Sequence, residues 1–423
     1  MKEISLFLRR HTLDDEVPPT TKLPIPSYDL DMFLTHGVSH GLDMLCTAQT
    51  TPGDVVLIER PSYFLAAGIF RSHGLTIESL PMKRQSFDTA AGTGGGALMV
   101  DVDALEQGLN DGSINVPRMI YIVPTHQNPT ANTMPTIDRW KLCKLARRFG
   151  FLVAADEVYH LLDWREDKKQ RPARFSVLDH ILLLSKQQSE SSLSSETDDD
   201  FCANNASNKR QGHQPVGGCS VSVSSFTKIF TPGVRCGWIE GPTEIIDSIV
   251  DLGYIQSQGG CAPFVGNVLR TALEEGFQDQ ILERLNESYK ERCKILCNVL
   301  ESEPGIRISY RPNGGYFVWV DFLGLPEAET TTQIGVGVGV DVGGEDGTDS
   351  PASVFARYCF ERGLKFMPGM KCDSVSECFE QSGQPKELCQ SSARLCFADM
   401  DLEDVGDGAR LLIELYREYT GKR

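Results

Sequence analysis

No stretch of this chain approaches the roughly twenty consecutive apolar residues that a membrane-spanning helix requires, so no transmembrane segment is expected. The start, Met1-Lys2-Glu3-Ile4, lacks the apolar core of a secretory signal. Positive charge is also in short supply. The 41 lysines and arginines face 58 aspartates and glutamates, for a formal net charge of -17. That balance argues against a surface for nucleic acid or anionic membrane. Cysteine is plentiful, at thirteen, but no CxxC pair occurs. Cys293 and Cys297 lie one helical turn apart without a histidine pair nearby, and Cys372, Cys378, Cys389 and Cys396 are irregularly spaced. Nothing fits a zinc site, so no metal is expected. With no export signal the thiols are expected to be reduced and the protein cytoplasmic, which makes the Asn205-Ala206-Ser207 sequon irrelevant to glycosylation. A dinucleotide fingerprint is lacking too. Gly92-Thr93-Gly94-Gly95-Gly96-Ala97 follows the polar stretch Arg84-Gln85-Ser86-Phe87-Asp88 instead of a strand, so it reads as a loop.

The 423 residues are ample for two cores. Residues 4–11 suggest a short helix, and a proline-rich crossing runs from Pro18-Pro19 to Pro24-Ile25-Pro26. Helix and strand signals then alternate from Thr35 to Ile255, the pattern of an α/β fold with a largely parallel sheet between helices. Residues 186–218 form a polar insert between two expected strands, Ile181-Leu182-Leu183-Leu184 and Val221-Ser222-Val223. A long amphipathic helix is expected over 278–300. Residues 327–350, with Gly335-Val336-Gly337-Val338-Gly339, form a second low-complexity insert. The division that follows is 1–30 for the helix and crossing, 31–290 for a large domain and 291–423 for a small one.

The most informative segment is Ser224-Ser225-Phe226-Thr227-Lys228-Ile229-Phe230-Thr231-Pro232-Gly233-Val234-Arg235. It follows a β-branched alternating run, Cys219 to Val223, that reads as a buried strand ending in a polar turn. Two hydroxyls and an arginine flank the lysine, a set suited to holding a phosphate beside an amine. Pyridoxal 5′-phosphate needs that arrangement, because its aldehyde forms a Schiff base with a lysine. Upstream, the apolar run Arg118 to Pro124 opens into Thr125-His126-Gln127-Asn128-Pro129-Thr130, and Phe151 to Ala155 ends in Asp156-Glu157-Val158-Tyr159. In open α/β sheets such polar strand ends converge on one crevice.

Together Asn128-Pro129, Asp156-x-x-Tyr159 and Ser225-x-Thr227-Lys228 resemble the fold-type I pyridoxal-phosphate aminotransferases of class I/II, in the branch of 2-aminoadipate and kynurenine aminotransferases. The resemblance covers Thr35 to the C-terminus apart from the two inserts. It implies a mostly parallel seven-stranded sheet in a large domain and a smaller α+β C-terminal domain. It also implies that Lys228 carries the cofactor as an internal aldimine and that Asp156 faces the pyridine nitrogen. Tyr159 and Asn128 would bond the ring's phenolic oxygen, and Tyr63 of Pro61-Ser62-Tyr63 would stack on the ring. Arg235, Ser225, Thr227 and Ser39 would hold the phosphate, joined by His40 of Gly37-Val38-Ser39-His40-Gly41, where relatives often carry glutamine. Arg394, in Ser392-Ala393-Arg394-Leu395-Cys396-Phe397-Ala398, matches the arginine that grips the substrate carboxylate. Asn313-Gly314-Gly315-Tyr316-Phe317 matches a pocket-lining segment, so Tyr316 and Asn128 join the substrate set and the glycine pair would let backbone approach substrate. The implied activity is ping-pong transfer of an amino group from an L-amino acid to a 2-oxo acid by a homodimer. A lyase or cyclopropane-forming synthase on the same scaffold, or a catalytically impaired pyridoxal-phosphate binder, are the alternatives. Relatives carry a longer segment than the thirty-four residues before Thr35, so either the chain is a shortened form or its pocket is more open.

Overall fold

The computed structural model describes residues 1–11, 30–85, 96–167, 170–192, 218–327, 350–375 and 389–421. The proline-rich crossing, Gly92 to Gly95, the Asn205 sequon, residues 193–217 of the first expected insert and 328–349 of the second lie outside the described residues. The helices are α1 Lys2–His11, α2 Val38–Gln49, α3 Phe64–Ser72, α4 Val102–Asp111, α5 Thr136–Phe149, α6 Phe175–Ser192, α7 Thr243–Val250, α8 Gly253–Gln256, α9 Pro263–Glu274, α10 Phe277–Leu300, α11 Pro351–Phe360 and α12 Leu402–Thr420. The strands are β1 Asp31–Thr35, β2 Val55–Ile58, β3 Thr76–Ser79, β4 Met82–Gln85, β5 Ala97–Val100, β6 Met119–Ile122, β7 Leu152–Asp156, β8 Cys219–Ser225, β9 Gly237–Gly241, β10 Ile306–Ile308, β11 Phe317–Phe322, β12 Met367–Pro368 and β13 Ser392–Cys396.

Seven strands form one sheet in the order β1-β9-β8-β7-β6-β2-β3. Only β9 runs against the rest, pairing antiparallel with both β8 and β1. The central strands β6, β7 and β8 are buried along their whole length, because helices cover both faces of the sheet. Alternation then splits their side chains between two cores: Met119 and Tyr121 enter one cluster, Ile120 and Ile122 the other. Since β1, β2, β6, β7 and β8 point the same way, their carboxyl ends open on one side, and every expected cofactor ligand lies there or just beyond.

The rest of the C-terminal half builds an antiparallel sheet, β10-β11-β13-β12, flanked by α10, α11 and α12. The domain limit set at residue 290 falls inside α10, and one buried cluster continues from the first sheet into the second. An isolated bridge between Asp163 and Gly314, with the Gly315 N–H donating to the Leu162 carbonyl at 2.8 Å, ties the two sheets together.

Two sequence expectations fail here. Ile181 to Leu184 is the middle of helix α6 and not a strand. Four apolar residues in a row suit either element. Phe175, Leu178, Ile181 and Leu182 supply the helical spacing that buries one face against β8, while Leu183 and Leu184 stay half-exposed. The insert therefore begins as helix, out to Ser192. Arg84 and Gln85 are likewise the end of strand β4, which pairs antiparallel with β5. The glycine-rich run thus joins two antiparallel strands, a context that still differs from the strand–turn–helix of a dinucleotide site.

Candidate active site

The strand ends surround a cavity of about 340 Å³. Its wall includes Ser39, Tyr63, Asn128, Asp156, Tyr159, Ser225, Thr227, Lys228, Arg235 and Arg394. Ten of the twelve residues expected from the sequence therefore meet in one place.

One corner is built for an anion. Ser39 stands in the first turn of α2, where backbone N–H groups have no helical partner. Gly37 precedes it at φ +100°, and a Cβ there would stand 3.2 Å from Arg235 Nη2. Arg235, itself left-handed at φ 47°, donates from Nη2 to the His36 carbonyl at 2.9 Å. Ser225 Oγ lies 2.8 Å from Thr227 Oγ1 and accepts from the Thr227 N–H at 3.1 Å. Two hydroxyls and a guanidinium thus converge beside a helix start.

At the opposite wall, Asp156 ends β7 and is 3 % exposed. Its Oδ2 accepts from the Tyr121 hydroxyl at 3.0 Å and its Oδ1 from the Val158 N–H at 3.3 Å. Burial pushes its pKa up to about 6 against the pull of these two bonds and of Lys228. A carboxylate held in such a place is completed by a cation in the cavity. Lys228 is lowered by burial, with Arg394 adding to the effect and Cys396 and Asp156 opposing it. More of it is therefore free amine near neutral pH. Its Nζ lies 5.0 Å from the Tyr316 ring centroid.

Arg394 reaches the cavity from β13. Its Nη1 donates to Asn128 Oδ1 at 2.8 Å, its Cζ lies 4.3 Å from the Phe317 ring centroid, and its buried Nε has no hydrogen-bond partner among the described residues. With Oδ1 engaged, the Asn128 amide keeps its N–H donors for a ligand. Buried Tyr159 packs on Tyr316 and Phe317, at 5.3 and 5.9 Å between ring centroids.

Two expected residues stand apart from the cavity wall. His40 turns back on its own loop, where its Nδ1 accepts the His36 N–H at 3.1 Å. Tyr316 donates its hydroxyl to the Lys228 carbonyl at 2.9 Å and so braces the lysine from behind, while Phe317 takes the wall position. Gly314 and Gly315, expected to let backbone approach substrate, are not among the residues that line the cavity. A Cβ on Gly314 would collide with His126 and the Leu162 carbonyl, and one on Gly315 would stand 2.7 Å from His126 Cβ. The pair is there to let one sheet's edge close on the His126 loop.

Other contributors carried no sequence signal. Arg139, fully buried in α5, donates to the Pro124 carbonyl and Thr125 Oγ1, both at 2.7 Å, and to Glu157 Oε1 at 3.3 Å. Glu59 accepts the Val123 N–H at 2.7 Å. Both fix the loop that presents Asn128, yet an isolated Arg or Glu in a sequence reads as surface charge. Val38, Phe64, Leu65, Val123 and Val158 complete the wall.

The sequence matches the family of aminotransferases class I and II over residues 29–410. The chain belongs to that family. Among curated relatives, a 2-aminoadipate transaminase of Thermus thermophilus is 25% identical over 387 residues, covering 90% of this chain and 74% of the relative. An aromatic amino acid aminotransferase of Schizosaccharomyces pombe is 27% identical over 310 residues, covering 71% of this chain but only 57% of the relative. In structure the chain is similar to the α-aminoadipate aminotransferase of Thermus thermophilus complexed with N-(5′-phosphopyridoxyl)-L-leucine. The TM-score is 0.63 at 23% identity, over 92% of this chain and 78% of that one. This aminotransferase therefore has the fold-type I architecture expected of it. Among the described residues no helix is long and apolar enough to cross a membrane, and no cluster of His, Cys, Asp and Glu is arranged to hold a metal ion.

Proposed function

We propose that this aminotransferase uses pyridoxal 5′-phosphate to move the amino group of an L-amino acid to a 2-oxo acid in two half-reactions. The observation that carries the reading is that Lys228, Asp156, an anion corner and Arg394 share one cavity of about 340 Å³. The residues fit the cofactor. Asp156 is a buried carboxylate in want of a cation, which a protonated ring nitrogen supplies, and Gly37 leaves open a cradle at Arg235 that a Cβ would crowd. Bound there, the cofactor supplies an electron sink for the charge left when an amino acid loses its α-proton.

The chain's own groups do the rest. Asp156 would hold the proton of the ring nitrogen. Asn128 and Tyr159 would donate to the phenolic oxygen. Ser39, Ser225, Thr227 and Arg235 would hold the phosphate. Lys228 would anchor the cofactor, and its Nζ, when free, would take the substrate α-proton and give it back, a role its lowered pKa suits. Arg394 grips the α-carboxylate with its planar fork, and its contact with Asn128 orients it. Tyr63, Phe64, Leu65 and Phe317 supply the remaining wall. The cations on the described wall are Lys228, Arg235 and Arg394, all assigned above, so apolar and aromatic substrate side chains fit best. The relatives' names, 2-aminoadipate and aromatic amino acid aminotransferases, favour transamination over a lyase or synthase reaction.

We also infer a homodimer and a cytoplasmic location. Support for the first is the exposed apolar surface of α8 to α10, where Phe264 is 79 % and Tyr254 59 % exposed. Support for the second is that Cys46, Cys143, Cys219 and Cys389 are buried as free thiols and used as small apolar side chains. The test is incubation of the full chain and cofactor with single amino acids. Bleaching of the cofactor's visible band, with release of the matching oxo acid and recovery by a second oxo acid, is expected. Lys228→Ala should lose both the band and the turnover. Ammonia or pyruvate release without an acceptor would overturn the assignment in favour of a lyase.

A further inference from the structure

Tyr121 occupies the middle of β6, is wholly buried, and takes no part in the chemistry above. Its place follows from register. Tyr121 pairs with Ala154 across the parallel β6–β7 ladder, and Asp156 is two residues beyond Ala154 on the same face. That diagonal is too long for most side chains but within reach of an aromatic one carrying a terminal hydroxyl. The hydroxyl donates to Asp156 Oδ2 at 3.0 Å, while the Val158 N–H takes Oδ1. The ring is fixed edge-on to Phe70 of α3, 5.4 Å between centroids. Both carboxylate oxygens are thus oriented by the chain itself, one from the sheet and one from the turn after β7, before any ligand arrives.

From this geometry we infer that Tyr121 is a positioning residue: its hydroxyl keeps Asp156 ionised and aimed at the ring-nitrogen end of the cofactor. The inference rests on the cofactor assignment made above. Chemically, a donor on the carboxylate makes it a weaker base. The shared proton then stays on the ring nitrogen and does not pass to Asp156, which is what an electron sink requires. Burial opposes ionisation of Asp156, and the tyrosine is the side chain that counters it within hydrogen-bond distance. The other titratable groups around Asp156 are Glu59 beyond β2, Tyr63, Tyr159 and, past β8, Lys228. Lys228 is the cation among them, and it is spoken for by the aldehyde end.

The test uses the full chain without cofactor. Its affinity for pyridoxal 5′-phosphate is measured by quenching of intrinsic fluorescence from pH 5 to 9, for the wild type, Tyr121→Phe and Phe70→Leu. The cofactor's own titrations are common to all three and cancel in the comparison. Tyr121→Phe keeps the ring and should keep the melting temperature. The acid limb of its affinity profile should move up by about one pH unit, a loss of about tenfold near pH 6 that closes to within about twofold at pH 8.5. In the loaded enzyme kcat should fall with KM little changed. Phe70→Leu, which alters the packing but spares the hydroxyl, should follow the wild-type profile. Coincident profiles for Tyr121→Phe and wild type would overturn the inference, and so would equal shifts in both variants. A wild-type chain that binds no cofactor at any pH brings down the cofactor assignment, and this inference with it.

Discussion

Arg394 Nη1 donates to Asn128 Oδ1 at 2.8 Å, joining a strand of the antiparallel sheet to the loop that leaves the centre of the parallel one. The two residues are 266 positions apart, so the guanidinium proposed to grip substrate is aligned by the same amide proposed to face the cofactor. The two binding tasks are therefore coupled through one side chain.

That coupling is tested by Arg394→Lys. The charge stays but the fork is lost, and a point charge cannot serve the α-carboxylate and Asn128 together. We expect kcat/KM for every amino acid to fall by about 100-fold, the scale of losing charge-assisted hydrogen bonds. Cofactor affinity should change far less. Steady-state kinetics beside a cofactor titration separates the two.

Glu59 gives a pH dependence with a definite sign. Burial pushes its pKa up to about 8 from an ordinary 4.5, against the Val123 N–H that it accepts. Between those values the folded chain holds a proton that the unfolded chain has released, so this group makes stability fall as pH rises through about 4.5 to 8. Glu59→Gln keeps an acceptor for Val123 and removes the charge. Its melting temperature should draw level with wild type below about pH 4, exceed it increasingly up to pH 8 and hold the gain above. A difference that is constant across pH would show that Glu59 is not the titrating group.

Gly314→Ala places a methyl against the His126 ring and the Leu162 carbonyl. Neither can retreat: His126 is 1 % exposed with its Nε2 3.1 Å from Asp163 Oδ2, and the Leu162 carbonyl accepts the Gly315 N–H. A loss of about 3 kcal/mol or more in urea unfolding is expected. Residual folded enzyme should show an unaltered KM, because the clash is with the His126 loop and not with substrate. A raised KM at unchanged stability would restore this glycine to the substrate pocket.

Much of the site was legible in the chain itself, and the physical reason is locality. Asp156 closes a strand-like run, and Asn128 and Lys228 follow two others within a few residues; strand ends in such sheets share one side. Their chemistry then follows from residue type. Legibility failed where the deciding contact is distant in sequence or turns on a single residue of phase. Tyr316 and Phe317 are adjacent aromatics, and only the path of β11 decided that one braces Lys228 while the other lines the cavity.

By itself, then, the order of residues carried the layered α/β architecture, in its period, and, in its motifs, the resemblance to the family and the lysine proposed as the reactive amine. Tertiary structure alone decided that four apolar residues at 181–184 belong to a helix, that Gly314 makes room for His126, and that Tyr121 reaches Asp156. In each of those cases the free energy sits in packing or a hydrogen bond between segments, which no local pattern encodes.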